Sequence, residues 1–447
     1  MCHQSILSSD FLSDVIKVGL LGYGTVGCSL ADLLSERQSA LEKITGLKIE
    51  LGAIAVRNKA KYAFAGVDES VKITNDAMSL VTDPDIDVVI ELIGGLEPAR
   101  SLILAAMESG KPVVTGNKEL LANHGSELFN SAEKNNVDLL FEASTAGAIP
   151  ILRPLRESLL GEDVKRIIGI VNGTTNYILT EMAEKGTDYA DALVQAQELG
   201  YAEADPTADV EGHDSAAKAA IMASLAFGRQ VTAKDVYCEG ISKISSFDIS
   251  LSKKLGYVIK LLAISQKYQN FDVGVRVFPA LVPLTHPLAS VRGSYNAVFV
   301  EGAASSELMF YGRGAGGKPT ASAVLGDLVD AARNLKLGTH RVVPSGAPAN
   351  IRPIEDLSSS FYVVLETSDE KGVLSDIAGL FAKFDVSIKA IEQESLETYS
   401  HNDEDKETSR MVFITRSASE RDFASLVEEL EKFGAVKQIK NVIRVIE

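Results

Sequence analysis

VIKVGLLGYGTVGCSLADLL, residues 15–34, holds the step that decides the fold. A largely apolar run with β-branched Val15, Ile16 and Val18 occupies 15–21, then Gly22, Gly24 and Gly27 follow in G-x-G-x-x-G spacing, and an amphipathic run begins at once. The first glycine of such a turn permits a sharp reversal, the second lets backbone approach a pyrophosphate, and the third allows close packing of helix on strand. N–H groups at the start of the following helix face an anion. Gly22, Gly24, Thr25, Val26 and Gly27 are therefore candidate cofactor-binding residues. A ligand-free glycine turn has the same spelling, but the flanking strand and helix favour the dinucleotide reading.

Working outward, short β-branched runs alternate with longer amphipathic stretches as far as Ser144. VIKVGLLG, IELGAIAV, DVVIELIG, PVVTG and VDLLFEA are the expected strands. SLADLLSERQSALEKI, ARSLILAAMES and KELLANHGSELFNSAEKN carry apolar residues at helical spacing. The pattern predicts an α/β, Rossmann-like doubly wound nucleotide-binding domain over residues 15–150, to which a helix near 319–336 returns. Residues 151–318 read as an α+β substrate and dimerisation domain with a helix from about Asp214 to Phe227. The proline-rich stretch 341–358 reads as a linker. Residues 359–447 give strand, helix, strand, strand, helix, strand, a self-contained ferredoxin-like βαββαβ domain.

The 447 residues, 46% hydrophobic and 23% charged, are ample for several globular cores, and no run approaches a membrane span. A net charge of −17 repels nucleic acid and anionic membranes, so neither is an expected partner. Cys2, Cys28 and Cys238 are scattered without disulfide or zinc spacing, which fits a reducing, cytoplasmic compartment. The opening MCHQSILSSDFLSD lacks the basic start and apolar core of a signal peptide and reads as a mobile tail.

The second strand closes as AIAVRNKAK, with Arg57, Lys59 and Lys61 where an NAD enzyme usually places an acid for the ribose hydroxyls. Arg57 suits a 2′-phosphate, so NADP is the expected cofactor, with NAD use left open. A solvated basic turn is the plainer alternative. Farther on, LGYAEADPTADVEGHDSAAK, residues 199–218, crowds Glu203, Asp205, Asp209, Glu211 and Asp214 ahead of Lys218. Asp214 and Lys218 lie four apart on one helix face. A surface ion pair is the ordinary meaning of that spacing. Here the rest of the helix is small and apolar, and a buried lysine able to pass a proton to a carbonyl oxygen becomes the stronger reading.

This acidic segment is similar to the signature of homoserine dehydrogenases. VNGTTNYIL, TGNKELLA, EASTAGAIP, PLTHPLASV and FYGRGAGGKPTASAVLGD resemble further segments of the family, from Val15 to Asp330. The resemblance implies reversible, NAD(P)H-dependent reduction of L-aspartate 4-semialdehyde to L-homoserine, within threonine, methionine and isoleucine biosynthesis. It makes Lys218 the proton donor and acceptor, Asp214 the group that orients the reacting end, Glu203 the contact for the substrate amino group and Asp209 a supporting acid. Lys118 is implied to lie beside nicotinamide and substrate, and Gly316 and Gly200 to approach the cofactor. Glu142 and the carbonyls of Thr145, Gly147 and Ile149 are implied to surround a sodium ion.

The tail resembles an ACT domain, with Asp369, Glu370 and Gly372 at its effector loop, which implies an amino-acid effector, threonine foremost; a pure dimerisation module is the alternative. No kinase-like segment precedes Val15, so the monofunctional form is expected, as a homodimer or homotetramer. Two rival functions stay open: a dehydrogenase of another small amino or hydroxy acid, and a non-catalytic sensor of NADP and an amino acid.

Overall fold

The computed structural model describes residues 14–59, 68–341, 346–396 and 408–446. The N-terminal tail expected at residues 1–13 and Lys61 of the basic turn lie outside them. Two compact units result. The first runs to Gly161 and takes in Ile221–Thr232 and Gly312–Pro348, and the second comprises Glu162–Ala220, Ala233–Tyr311 and Ala349–Glu447.

In the first unit, β1 (Asp14–Leu21), β2 (Leu47–Ala55), β3 (Lys72–Thr74), β4 (Val88–Glu91), β5 (Val113–Thr115) and β6 (Leu139–Leu140) form one sheet in the order β3-β2-β1-β4-β5-β6. Every pairing is parallel. Val18, Leu20 and Leu21 of β1 and Val88, Val89 and Ile90 of β4 are sealed from solvent, because helices cover both faces of a parallel sheet. Each such side chain contributes about 1.5–3 kcal/mol on burial. The helix Thr25–Thr45 ends on Gly46, whose left-handed φ of 74° suits glycine. Against it lies the helix Gly317–Leu337, which buries Ala321, Val324, Leu328 and Ala331 in one cluster with Leu30 and Leu34. The edge strand β3 and the short helix Ala77–Thr82 have no counterpart among the expected elements, since three and six residues are too few to establish a period.

The second unit is built on an antiparallel sheet. Val164–Ile170 pairs with Tyr295–Gly302 on one side and Tyr257–Lys267 on the other, and Tyr257–Lys267 forms a hairpin with Asp272–Pro283. The C-terminal strands Ser358–Ser368, Ile388–Leu396, Thr408–Thr415 and Val436–Val445 have the ferredoxin-like order fourth, first, third, second. The helices Val373–Lys383 and Glu420–Lys432 bury Ile377, Phe381, Phe423 and Leu426 against them.

Read alone, this tail is self-contained; in the fold its sheet is continuous with the preceding one. Ala280 and Leu281 pair with Arg444 and Val445 in parallel. Arg444 donates to both oxygens of Glu420, at 2.7 and 2.8 Å, and to Glu239 at 2.8 Å, with its guanidinium 4.8 Å from the Phe278 ring centre. The stretch expected to be a linker also makes strand pairings. Ala347–Pro348 pairs with Arg229–Gln230, and Asn350–Ile351 pairs with Asp272–Val273, while residues 342–345 lie outside the described residues. Among the described residues no helix is long and apolar enough to cross a membrane.

One core residue of the second unit is a lysine. Lys260, 2% exposed, donates to Asn176 Oδ1 at 2.9 Å and to the Val291 carbonyl. Burial, reinforced by Arg292, pushes its pKa down to about 8, against the attraction of Glu184. The unfolded chain therefore holds this proton to higher pH than the folded one, so stability rises with pH from about 8 towards 10.5. Urea denaturation across that window should show the rise in the parent and a flatter profile in Lys260→Met; equal slopes would contradict the assignment.

Candidate active site

In the first unit, the turn after β1 has the shape its glycines predict. Gly22 has φ 96°, and a Cβ there would lie 2.7 Å from the Leu92 carbonyl oxygen. A Cβ on Gly27 would lie 2.5 Å from the Gly22 carbonyl oxygen, so only glycine lets this helix start so close to the strand. Gly24 is the N-cap and brings no side chain to the first helical N–H groups; it and Thr25 are exposed, and Val26 is half-buried. That is a surface on which a phosphate can be held by backbone.

The glycine-rich loop reaches the same turn. Gly316 caps the helix Gly317–Leu337 with φ 120°, and a Cβ on Gly317 would lie 2.6 Å from Ser29 Oγ and 3.1 Å from Thr25 Cγ2. Arg57 is exposed two residues past Ala55, whose carbonyl accepts the Gly22 N–H at 3.0 Å; Lys59 is exposed as well. Lys118 opens the helix Lys118–Asn135 directly after β5, half-buried, with Asn117 capping that helix through the Leu120 N–H at 3.1 Å.

In the second unit the acidic segment folds onto its lysine. Lys218 and Asp214 are 9% and 6% exposed, and Lys218 Nζ donates to Asp214 Oδ2 and to the Val171 carbonyl, each at 2.7 Å. Among the described residues two of its three ammonium donors are thus engaged, and the third can meet another oxygen. Asn172 Nδ2 donates to Asp209 Oδ1 at 2.7 Å and to Asp214 Oδ2 at 2.9 Å, joining two carboxylates that would otherwise repel. Thr174 Oγ1 donates to the Tyr201 carbonyl at 2.6 Å and lies 3.2 Å from Asp209 Oδ2.

Lys218, Asp214 and Asp209 therefore come together. Glu203 does not join them: it is exposed, and its main-chain carbonyl accepts from Gln197 Nε2 at 3.0 Å. Gly200 is exposed just past the helix Tyr189–Glu198, with φ 73°. Asn172 and Thr174 escaped sequence reasoning, although an Asn followed by Gly-Thr-Thr where a strand gives way to a helix is an N-cap signal. Asn172 indeed caps Gly173–Lys185 through the Thr175 N–H.

The loop expected to hold a cation is buried in the first unit. Glu142 uses one carboxylate oxygen for the N–H groups of Ile151 and Leu152, at 2.6 and 2.8 Å, and the other for that of Arg153 at 2.7 Å. Burial raises its pKa, against the pull of those three donors and of Arg153. Positive φ at Ala146 and Gly147, 55° and 58°, re-aims successive peptide planes, and a Cβ on Gly147 would lie 2.4 Å from Gly314. None of the described hydrogen bonds ends on the carbonyl oxygens of Thr145, Gly147 or Ile149, all three residues being buried. Hard oxygen donors without N–H partners fit a monovalent cation. Among the described residues no group of three or more His, Cys, Asp or Glu side chains could hold a metal, so such a site rests on backbone.

At the C-terminal loop, Gly372 caps the helix Val373–Lys383 with φ 96°, and Asp369 and Glu370 precede it, half-buried and exposed.

Comparison with known proteins matches three family models in chain order. Residues 22–142 match the homoserine dehydrogenase NAD-binding domain, 150–329 homoserine dehydrogenase, and 361–435 the ACT domain. The chain is 48% identical over 436 residues to homoserine dehydrogenase of Corynebacterium glutamicum, covering 96% of this chain and 95% of that one. It is 40% identical over 432 residues to that of Bacillus subtilis, covering 96% and 98%. A crystal structure of a homoserine dehydrogenase from Thiobacillus denitrificans superposes with a TM-score of 0.90 at 38% identity, covering 97% and 99%. A hyperthermophilic archaeal homoserine dehydrogenase in complex with NADPH superposes with a TM-score of 0.62 at 27% identity, covering 74% and 100%. With a nucleotide-binding turn, a buried lysine–carboxylate pair and near full-length similarity all in agreement, the chain belongs to the homoserine dehydrogenase family of oxidoreductases.

Proposed function

We propose that Lys218 is the proton-transfer group in the reversible reduction of L-aspartate 4-semialdehyde to L-homoserine, with NADPH preferred over NADH, on the route to threonine, methionine and isoleucine. The observation that carries this reading is the Lys218–Asp214–Asn172–Asp209 cluster, a cation held by one carboxylate with a donor to spare. Bound nicotinamide supplies the hydride for reduction and takes it up in the reverse direction. Lys218 gives its proton to the aldehyde oxygen as negative charge develops there. Asp214 keeps the ammonium oriented, and Asn172 keeps Asp214 in place. Glu203, exposed on the same segment, meets the substrate ammonium, with Asp209 adding to the local negative field.

Gly22, Gly24, Thr25, Val26, Gly27 and Gly316 form the phosphate-binding surface, Lys118 serves the nicotinamide end and Gly200 meets the cofactor from the acidic segment. Arg57 takes the 2′-phosphate, a reading supported by the absence of an acid at that turn and by the NADPH complex of the archaeal relative. Glu142, Thr145, Gly147 and Ile149 hold a sodium ion in a structural role. The ACT domain binds threonine as a feedback effector. A cytoplasmic homodimer or homotetramer, with domains at 15–150, 151–318 and 359–447 and the linker between the last two, completes the proposal.

Lys218→Ala should keep NADPH binding and lose about 10²–10⁴-fold in turnover. Near-normal turnover would refute the proton-transfer role. Glu203→Ala should raise KM for the semialdehyde with kcat little changed, and an unaltered KM would remove the amino-group contact. Following NADPH oxidation with the semialdehyde and with simple 2-oxo acids decides the substrate. The same assay with NADH, and with added threonine, tests cofactor preference and feedback; equal rates with both cofactors would count against the part given to Arg57.

A further inference from the structure

Glu91 ends β4 with no solvent exposure at all. Its Oε1 accepts the N–H groups of Ile93 and Gly94, at 2.7 and 2.9 Å, and its Oε2 accepts the Thr115 hydroxyl at 2.6 Å. Thr115 Oγ1 in turn accepts the Asn117 N–H at 3.0 Å. Asn117 donates from Nδ2 to the Gly95 carbonyl at 2.7 Å while capping the helix that begins with Lys118. Leu92, between Glu91 and the turn it holds, donates to the Leu21 carbonyl at 2.8 Å and presses its own carbonyl against Gly22. The Glu91 side chain therefore ties the turn after β4 to the end of β5, while the backbone of its neighbour Leu92 abuts the turn after β1.

All three groups facing Glu91 are donors, so both of its oxygens must accept. A glutamine could keep its oxygen on the two N–H groups, but its amide N–H would then face Thr115 Oγ1 and leave that buried hydroxyl's proton without its acceptor. A carboxylate suits the three donors at a desolvation cost, and no ion pair of the described residues includes Glu91. Beyond accepting, it places negative charge at the carboxyl ends of the strands, the edge where wound sheets bind nucleotides.

We infer that Glu91 is a positioning residue for the redox end of the site: through Thr115 and Asn117 it sets the start of the Lys118 helix, and its charge favours the positively charged oxidised nicotinamide over the neutral reduced one. The inference rests on the reading of this edge as the nicotinamide end.

The test uses the full chain and three variants, Glu91→Gln, Thr115→Val and Lys118→Met. Dissociation constants for NADP+ and NADPH are measured by titration, beside thermal midpoints and steady-state kinetics. Glu91→Gln should fold with a midpoint lowered by the orphaned Thr115 hydroxyl, weaken NADP+ relative to NADPH about tenfold, and lower kcat while KM for the aldehyde stays within about twofold. Thr115→Val keeps the charge and cuts the link to Asn117, so it should lower kcat and leave the affinity ratio alone. An unchanged ratio in Glu91→Gln, a parallel loss of both affinities with the midpoint, or failure of that variant to fold beside a normal Thr115→Val makes Glu91 a strut and overturns the inference. Parent-like kinetics in Lys118→Met would instead bring down the reading of the edge itself.

Discussion

The charge of a buried lysine must be compensated where it stands, and the second unit is arranged around that demand at Lys218. Asp214 supplies the charge from one helical turn away and the Val171 carbonyl supplies a dipole from the end of a strand. Asp214 in turn is kept in place by Asn172, which also holds Asp209. Removing either Lys218 or Asp214 leaves the other buried with an uncompensated charge, which typically costs about 3–5 kcal/mol. The elements that carry the members are therefore fixed relative to one another: the strand Val164–Ile170, the helix Gly173–Lys185 and the start of the helix His213–Phe227.

The first unit solves the reverse problem. It must meet an anion without burying a cation, and it does so with glycines at the sheet's carboxyl edge. A missing Cβ at Gly22 and at Gly27 lets backbone close up, while Gly24 leaves helix N–H groups bare. The geometry is forced by contacts of 2.7 and 2.5 Å that no side chain could occupy, so it does not depend on flexible groups finding their place.

These constraints also explain what could be read from residues alone. Local devices are legible, because their partners are near in sequence: the strand, glycine turn and helix of 15–34, and the Asp214–Lys218 pair at one helical turn. The five expected strands of the first sheet and the ferredoxin-like order of the tail are also visible, since each spans enough residues to show a period. What stays hidden is joined across the chain. Asn172 meets Asp209 thirty-seven positions on, and Glu91 meets Thr115 twenty-four positions on, with no spacing rule to connect them. Strand pairing between Leu281 and Val445 is made by backbone and has no side-chain code at all. Glu203 belongs to the crowded acidic segment yet stands exposed, outside the hydrogen-bonded cluster of Asp209, Asp214 and Lys218.

The pairing at Leu281 has a consequence for how the ACT-type sheet meets the rest of its unit. Arg444 binds Glu239, and Glu239 donates its N–H to the Val277 carbonyl at 2.8 Å, so the C-terminal strand is tied to the segment Tyr237–Ile241. That segment has no slack on its other side. A Cβ on Gly240 would sit 2.4 Å from the Val210 carbonyl oxygen, one on Gly212 would sit 2.9 Å from Cys238 Sγ, and the Ile241 N–H donates to Val210 at 2.8 Å. Val210 and Gly212 lie between Asp209 and Asp214. Asp214, which holds Lys218, and its neighbour Asp209 thus rest on a packed path of hydrogen bonds and close backbone contacts leading to the last strand of the chain. Coupling along such a path requires only that the sheet have two arrangements, since close-packed contacts transmit a shift of an ångström where a loose linker would absorb it.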